Sequence, residues 1–279
     1  MPELLEIEAY RELAADRALG RRIARVAAPD PWFVKGPLGA SDLAGALAGR
    51  TFVDTGRIGK LALVSLDDGH TLGLRFGMTG RLVIDDEAGV DQLLYSSRRD
   101  DPAWDRFTVF FVDGGHLRLN DPRRLGGVEL DPNTSALGPD AASLTTAQLR
   151  NALGSSMVQL KAALLDQRRV AGIGNLLGDE ILWRARLAPT RLAGSIGDAE
   201  MVALCRAVRT TLRVLGRRGG SHTGDVMHAR QPGGTCPRCA TSMTSATIGG
   251  RSTWWCPACQ PPMPPPTVRG GRGLAARAR

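Results

Sequence analysis

The chain has 279 residues, with 36 Lys+Arg against 28 Asp+Glu and a formal net charge of +8. The length suggests about two domains, and 43% apolar with 23% charged residues excludes a disordered or collagen-like chain. No apolar run approaches the ~18 residues of a membrane span, and the acidic start Glu3-Leu4-Leu5-Glu6 is unlike a secretory signal. The expected location is therefore the cytoplasm, and the positive balance points to a polyanionic partner.

In chain order, Ile7, Tyr10, Leu13, Ala14 and Ala18 recur at helical spacing, so a helix is expected almost from Pro2. Residues from about 22 to 130 read as strands. Two hairpins stand out: Leu61–Leu66 with Leu72–Leu74 around Asp67-Asp68-Gly69, and Phe107–Val112 with His116–Leu119 around Asp113-Gly114-Gly115. Several strands in this length suggest a β-sandwich or barrel. Residues 131–140, with two prolines and a glycine, read as a linker.

The period then becomes helical. Thr145-Thr146-Ala147-Gln148 is a capping-box start, and further helices are expected over 158–168, over 176–186 with Asn175 at the cap, and from an Asp198 cap to about Leu215. The Gly172-Ile173-Gly174 turn lacks the spacing of a dinucleotide fingerprint, but a helix start beside it suits a phosphate. Cys205 falls on a helical stripe with Val202, Val208, Leu212 and Leu215 and reads as a core thiol. Residues 263–279 read as a disordered basic tail.

Two constellations carry chemistry. Cys236-Pro237-Arg238-Cys239 and Cys256-Pro257-Ala258-Cys259 form two C-x-x-C knuckles sixteen residues apart, the pattern of a structural four-thiolate zinc site. Two disulfides are the alternative, which a cytosolic location disfavours. At the N-terminus, removal of Met1 would free the secondary amine of Pro2. An α-amino group titrates near neutrality and can attack an electrophilic carbon, with Glu3 beside it as acid or base. A helix-start proline followed by acids that complement the helix dipole is the bland alternative. Only Lys35, Lys60 and Lys161 are lysines, so each marks a place where a titratable amine differs from guanidinium.

Met1-Pro2-Glu3-Leu4, the isolated Lys60, Asp121-Pro122-Arg123-Arg124, Leu137-Gly138-Pro139, Lys161 with Gly172-Ile173-Gly174-Asn175, and Gly250-Arg251 ahead of the second knuckle follow one another in that order. Together they resemble the formamidopyrimidine-DNA glycosylase and endonuclease VIII family over about residues 2–260, closer to the former branch.

The resemblance implies an α+β chain with four parts: a catalytic β-sandwich domain with its leading helix over 1–135, a helix–two-turn–helix DNA-binding domain over 136–225, a zinc hairpin over 226–262, and the tail. It implies a bifunctional DNA glycosylase and AP lyase of base excision repair. Such an enzyme excises oxidised bases through a Schiff base on Pro2 and then nicks the strand, acting as a monomer on damaged duplex DNA with one structural zinc. Glu3, Lys60 and Arg251 join Pro2 as implied catalytic residues. Lys161 and Asn175 are implied to grip phosphates, and Met78 and Arg123 to fill the gap left by a flipped base. Leu125 stands where many members carry an aromatic wedge, Trp104-Asp105-Arg106 replaces a histidine-rich stretch, and the segment 216–235 is shorter than in members that cap 8-oxoguanine. A catalytically silent damaged-DNA-binding protein on the same scaffold is the rival reading, and a zinc-ribbon interaction module is a more distant one.

Overall fold

The computed structural model describes residues 2–90, 93 and 99–262. The tail expected over 263–279 therefore lies outside the described residues, as does Met1. Helix α1 (Leu4–Arg17) opens the chain and is followed by β1 (Ile23–Ala27), α2 (Ala40–Leu47), β2 (Phe52–Ile58), β3 (Leu61–Leu66), β4 (Thr71–Arg75), β5 (Arg81–Ile84), β6 (Glu87–Ala88), β7 (Asp105–Phe111), β8 (His116–Asn120) and β9 (Gly127–Leu130). Both expected hairpins are present, as β3–β4 and β7–β8.

The strands form two antiparallel sheets, β1-β7-β8-β5-β6 and β2-β3-β4-β9. Alternating apolar residues from both sheets, including Phe52, Val64, Leu72, Phe107, Val109 and Leu119, share one core with Ile7 and Tyr10 of α1. This is the expected sandwich. Helix α2 was not expected. Only Leu43 and Leu47 of its eight residues are buried, a pair four apart that is too short to stand out as a period among strand signals.

The second half contains α3 (Thr146–Leu153), α4 (Leu160–Leu165), α5 (Asn175–Ala185) and α6 (Asp198–Arg217), then the two-stranded β10 (Thr244–Ile248) and β11 (Arg251–Trp255). Thr145 and Gln148 cap α3 reciprocally, as the sequence suggests. Three boundaries differ. Helix α4 is shorter than 158–168, Gly174 rather than Asn175 caps α5, and Gly197 rather than Asp198 caps α6. For α5 and α6 an extended glycine lies one position before the expected cap, and side-chain chemistry alone does not place φ and ψ. Cys205 is buried, whereas Val202 is 45% exposed and off the core stripe.

Leu4 belongs to the helical core, with Leu160, Ile173 and Leu177, and Leu5 packs against it, while Ile7, Tyr10, Leu13 and Ala14 of α1 pack on the sandwich. The chain's first residues thus reach across to the other domain. The expected linker is also pinned there. Gly138 donates to Gln167 O, and Ala171 and Ala141 exchange bonds with Pro139 O and Ala171 O. Among the described residues no helix is long and apolar enough to cross a membrane.

Candidate active site

Glu3 caps α1 in extended conformation and is itself fully buried. Its carboxylate turns away from its own helix to the start of α5. There the N–H groups of Leu176 and Leu177 donate to Oε1 and Oε2 at 2.8 and 3.1 Å. A carboxylate at a helix N-terminus satisfies orphan donors and complements the dipole. The approach requires a glycine: a Cβ on Gly174 would lie 2.2 Å from Glu3 Cδ. Burial is the largest effect on Glu3 and raises its pKa; the charge of Lys60 opposes it, Glu6 adds to it, and the two N–H bonds oppose it again. The net direction is up, which keeps a proton available closer to neutrality than on a free glutamate.

Lys60 occupies the β2–β3 turn. Burial and the charge of Arg251 push its pKa down, while Glu3 and Glu6 push it up, and the net shift is downward. Pro2 and Lys60 line one cavity of about 240 Å³ with Arg75, Phe76, Leu125 and Gln167. The turn is held by Asp140 of the linker, which accepts from Gly59 N–H at 2.6 Å and from the Arg57 guanidinium at 2.6 and 3.2 Å. Arg57 also donates to Glu8 of α1 at 2.7 Å, so one buried guanidinium ties helix, hairpin and linker together.

Arg251 sits at the exposed tip of the β10–β11 hairpin, directly after Gly249 and Gly250. Both glycines have positive φ, +56° and +71°, as a two-residue turn of the primed type requires. Asn175 opens α5 and accepts Lys161 Nζ through Oδ1 at 2.7 Å, leaving its Nδ2 without a partner among the described residues.

Lys161 differs from its expected place on a phosphate. Its side chain is wholly buried and pairs with Asp179 at 2.6 Å, while its ammonium also donates to Thr253 Oγ1 at 2.8 Å. Asp179 in turn pairs with Arg230 at 3.0 Å and accepts Trp254 N–H at 3.3 Å. In this arrangement the ammonium ties Asn175 and the hairpin strand to the helices.

Met78 lies half-buried in the β4–β5 turn and Arg123 is exposed after β8. Asp121 joins the two. Its Oδ1 accepts Thr79 Oγ1 at 2.7 Å and Arg123 N–H at 3.2 Å, and its Oδ2 accepts the N–H groups of Leu125 and Gly126. Leu125 projects from this loop, 51% exposed. Arg106, in the stretch that departs from the family pattern, donates to Asp121 O at 3.0 Å and braces the same loop.

Glu6 is more than a complement to the helix dipole. The structure buries it between Glu3 N–H (2.8 Å) and both the N–H and hydroxyl of Ser221 (2.7 Å each). A groove of about 900 Å³ beside it is lined by Glu6, Glu8, Glu12, Arg218, Gly220 and His222. The Glu3-x-x-Glu6 spacing signalled the first bond; nothing in the sequence pointed to Ser221, 215 residues away.

The Sγ atoms of Cys236, Cys239, Cys256 and Cys259 all lie within 4.8 Å of one another, with Cys239 at 3.4 Å from both Cys256 and Cys259. Zn–S bonds of about 2.3 Å in a tetrahedron separate sulfurs by about 3.8 Å, so the donor set and spacing fit zinc. Trp183 Nε1–H points at Cys236 Sγ at 3.4 Å, and the Arg238 guanidinium covers the Trp183 ring at 4.0 Å.

Three family models match in succession: the formamidopyrimidine-DNA glycosylase N-terminal domain over residues 1–128, the formamidopyrimidine-DNA glycosylase H2TH domain over 136–225, and a zinc finger found in FPG and IleRS over 233–262. Proteins named formamidopyrimidine-DNA glycosylase from Afipia carboxidovorans and Pelotomaculum thermopropionicum are 35% and 30% identical. The alignments cover 93% of this chain and 100% and 99% of theirs. A Lactococcus lactis Fpg bound to abasic-site DNA superposes with a TM-score of 0.78 at 26% identity, over 93% of this chain and all of the other. With a sandwich, a helical domain, a four-cysteine cluster and these matches over nearly its whole length, the chain belongs to the formamidopyrimidine-DNA glycosylase family.

Proposed function

We propose that this chain is a bifunctional DNA glycosylase and AP lyase acting on oxidised bases in duplex DNA. The coarser part, a DNA glycosylase of base excision repair, is supported by relatives of that name across the full length and by neighbours solved with abasic-site and FAPY-dG DNA. One observation carries the finer part: the Pro2-Glu3 pair is docked on the start of α5, facing Lys60 across a cavity.

With Met1 removed, the Pro2 nitrogen attacks C1′ of the damaged nucleotide and the bond to the base breaks. Glu3, holding its proton through burial, protonates the sugar ring oxygen as the ring opens. The Pro2 nitrogen is then double-bonded to C1′ as an iminium, which acidifies the C2′ proton; its loss expels the 3′ phosphate. Lys60, with its lowered pKa, shares a proton beside this chemistry, and Arg251 offers a planar fork to a flanking phosphate. Asn175 donates to the same backbone through its free Nδ2. Met78, Arg123 and Leu125 enter the gap in the duplex, replacing stacking lost when the nucleotide leaves the helix. Zinc, held by Cys236, Cys239, Cys256 and Cys259, supplies a structural cross-link for the hairpin that presents Arg251.

Borohydride trapping on abasic-site duplex tests the reading. A covalent adduct through Pro2 is expected, and none from a form that retains Met1. Equal trapping by the Met1-retaining form would overturn the assignment of the nucleophile.

A further inference from the structure

The surface arginines are not distributed as a composition bias would distribute them. Most are neutralised by a neighbouring carboxylate: Arg21 by Asp85, Arg50 by Asp68, Arg118 by Asp100, Arg150 by Asp198, Arg218 by Asp225. Among the described residues, Arg206, Arg213 and Arg217, all exposed on α6, have side chains with neither an ion pair nor a hydrogen bond. Arg209 on the same face bonds only the Leu144 carbonyl, and Glu200 is the last acid of the helix. Arg186, also unpaired, shares a groove of about 560 Å³ with Arg206, Thr210, Arg238 and Asp225, the last already paired with Arg184 and Arg218. Exposed Arg25 and Arg123 also lack a carboxylate partner, but they stand singly on the sandwich, whereas on α6 three such guanidiniums follow one another along a single helix face.

That face is separate from the cleft. Met201, Leu204, Cys205, Val208 and Leu212 are buried on the opposite side of α6, in the core it shares with α5. Glu3 and Asn175 lie at the N-terminal start of α5, whereas Arg186 and Arg206 share a groove at its C-terminal end; only the Arg217 end of α6 approaches the first turn of α1, through Gly216 and Leu5. Arginines at 206, 209, 213 and 217 recur once per turn and extend over about 16 Å. The face has one exposed aliphatic, Val202, and lacks the apolar centre a protein interface uses. Planar forks with a threonine hydroxyl between them suit phosphate oxygens.

We infer that the α6 arginine face is a second polyanion site, which holds the phosphate backbone of a further DNA segment while the cleft holds the lesion. Such a contact is independent of base sequence and dominated by counterion release. It would let the enzyme pass between neighbouring duplexes without first leaving DNA.

The test uses the full-length protein with its cleft filled by a short duplex carrying an uncleavable abasic analogue, and an undamaged, labelled duplex of about 40 base pairs as probe. The wild type is expected to bind the probe as a third component. For Arg206→Gln/Arg213→Gln/Arg217→Gln, probe affinity should fall at least about tenfold, and the slope of log affinity against log salt should drop by about two to three, at roughly 0.9 per lost phosphate contact. Arg209 is left in place because it supports the Leu144 carbonyl. Single-turnover cleavage of a short lesion duplex should be unchanged in the variant, which separates this site from the cleft. Strictly one-to-one binding by the wild type, or a variant with an unaltered salt slope, overturns the inference. Displacement of the probe by polyglutamate at equal charge concentration also overturns it, in favour of an acidic protein partner. Failure of the wild type to cleave any lesion duplex would instead count against the proposed function.

Discussion

At Glu3 two opposing demands meet in one carboxyl group. Burial favours the protonated form, while the ammonium of Lys60 and the N–H groups of Leu176 and Leu177 favour the ion, and burial wins. If the protonated form is the working one, base release slows as the pH rises through the elevated pKa of Glu3. Glu3→Gln should remove that limb of the single-turnover profile and slow base release about 10²–10⁴-fold, with lesion binding changed by less than about threefold. A glutamine variant that retains the limb would assign the titration elsewhere. Lys60 allows a sharper comparison, because its pKa moves down where guanidinium stays charged. Lys60→Arg is expected to leave strand nicking at least about tenfold below wild type on abasic-site duplex. Near-complete rescue by arginine would show that a cation is all the site needs.

Among the elements, the linker does more than connect. Asp140 holds the Lys60 turn, the Arg57 guanidinium and its own Ala142 N–H, and those bonds hold its pKa below the ordinary 3.8 against the opposing effect of burial. Glu8 is likewise lowered from 4.5, by Arg57 and Arg11. Because the folded values are depressed, this stabilisation is complete above the unfolded values and is lost as the pH falls through the folded ones. Asp140→Ala should cost about 1–3 kcal/mol at pH 7, below the range for a fully buried pair, since Asp140 is half-buried and Glu8 still faces Arg57. Denaturant midpoints for wild type and variant should converge in acid, once Asp140 of the wild type is protonated. Helix α5 is the second organising element. Its start grips Glu3 and its second turn carries Asp179, whose pairs with Lys161 and Arg230 and bond to Trp254 fix the zinc hairpin. One rigid rod of eleven residues thereby sets catalytic carboxyl and hairpin relative to each other.

For the whole molecule, the hairpin is too small to hold its shape on its own core of Trp183, Val226, Met243 and two of the cysteines. Chelation of zinc, or Cys256→Ser, should weaken duplex binding at least about 100-fold while hydrogen-exchange protection of β2–β4 stays near wild type. Full binding after verified metal removal would defeat the zinc assignment. The sandwich has its own core and is expected to survive, although Leu4 seated among the helical residues ties the two halves together.

Features set by local rules are legible without the fold. Hairpin turns and strand alternation gave β3–β4 and β7–β8, reciprocal capping gave α3, and paired knuckles gave the thiolate cluster. The residue types at Pro2, Glu3 and Lys60 were legible because an N-terminal amine, an adjacent acid and a rare lysine are unusual as chemistry. Short α2 was not legible, nor were the caps of α5 and α6, because one-residue differences in φ and ψ leave little trace in composition. Folding in three dimensions makes Lys161 a buried clamp between helix and hairpin. It alone brought Ser221 to Glu6, Asp140 to Gly59 and Asp121 to two separate turns. The physical reason is distance along the chain. The charge state and reach of a side chain depend on what burial removes and which partner it finds, and those partners lie as much as 215 residues away.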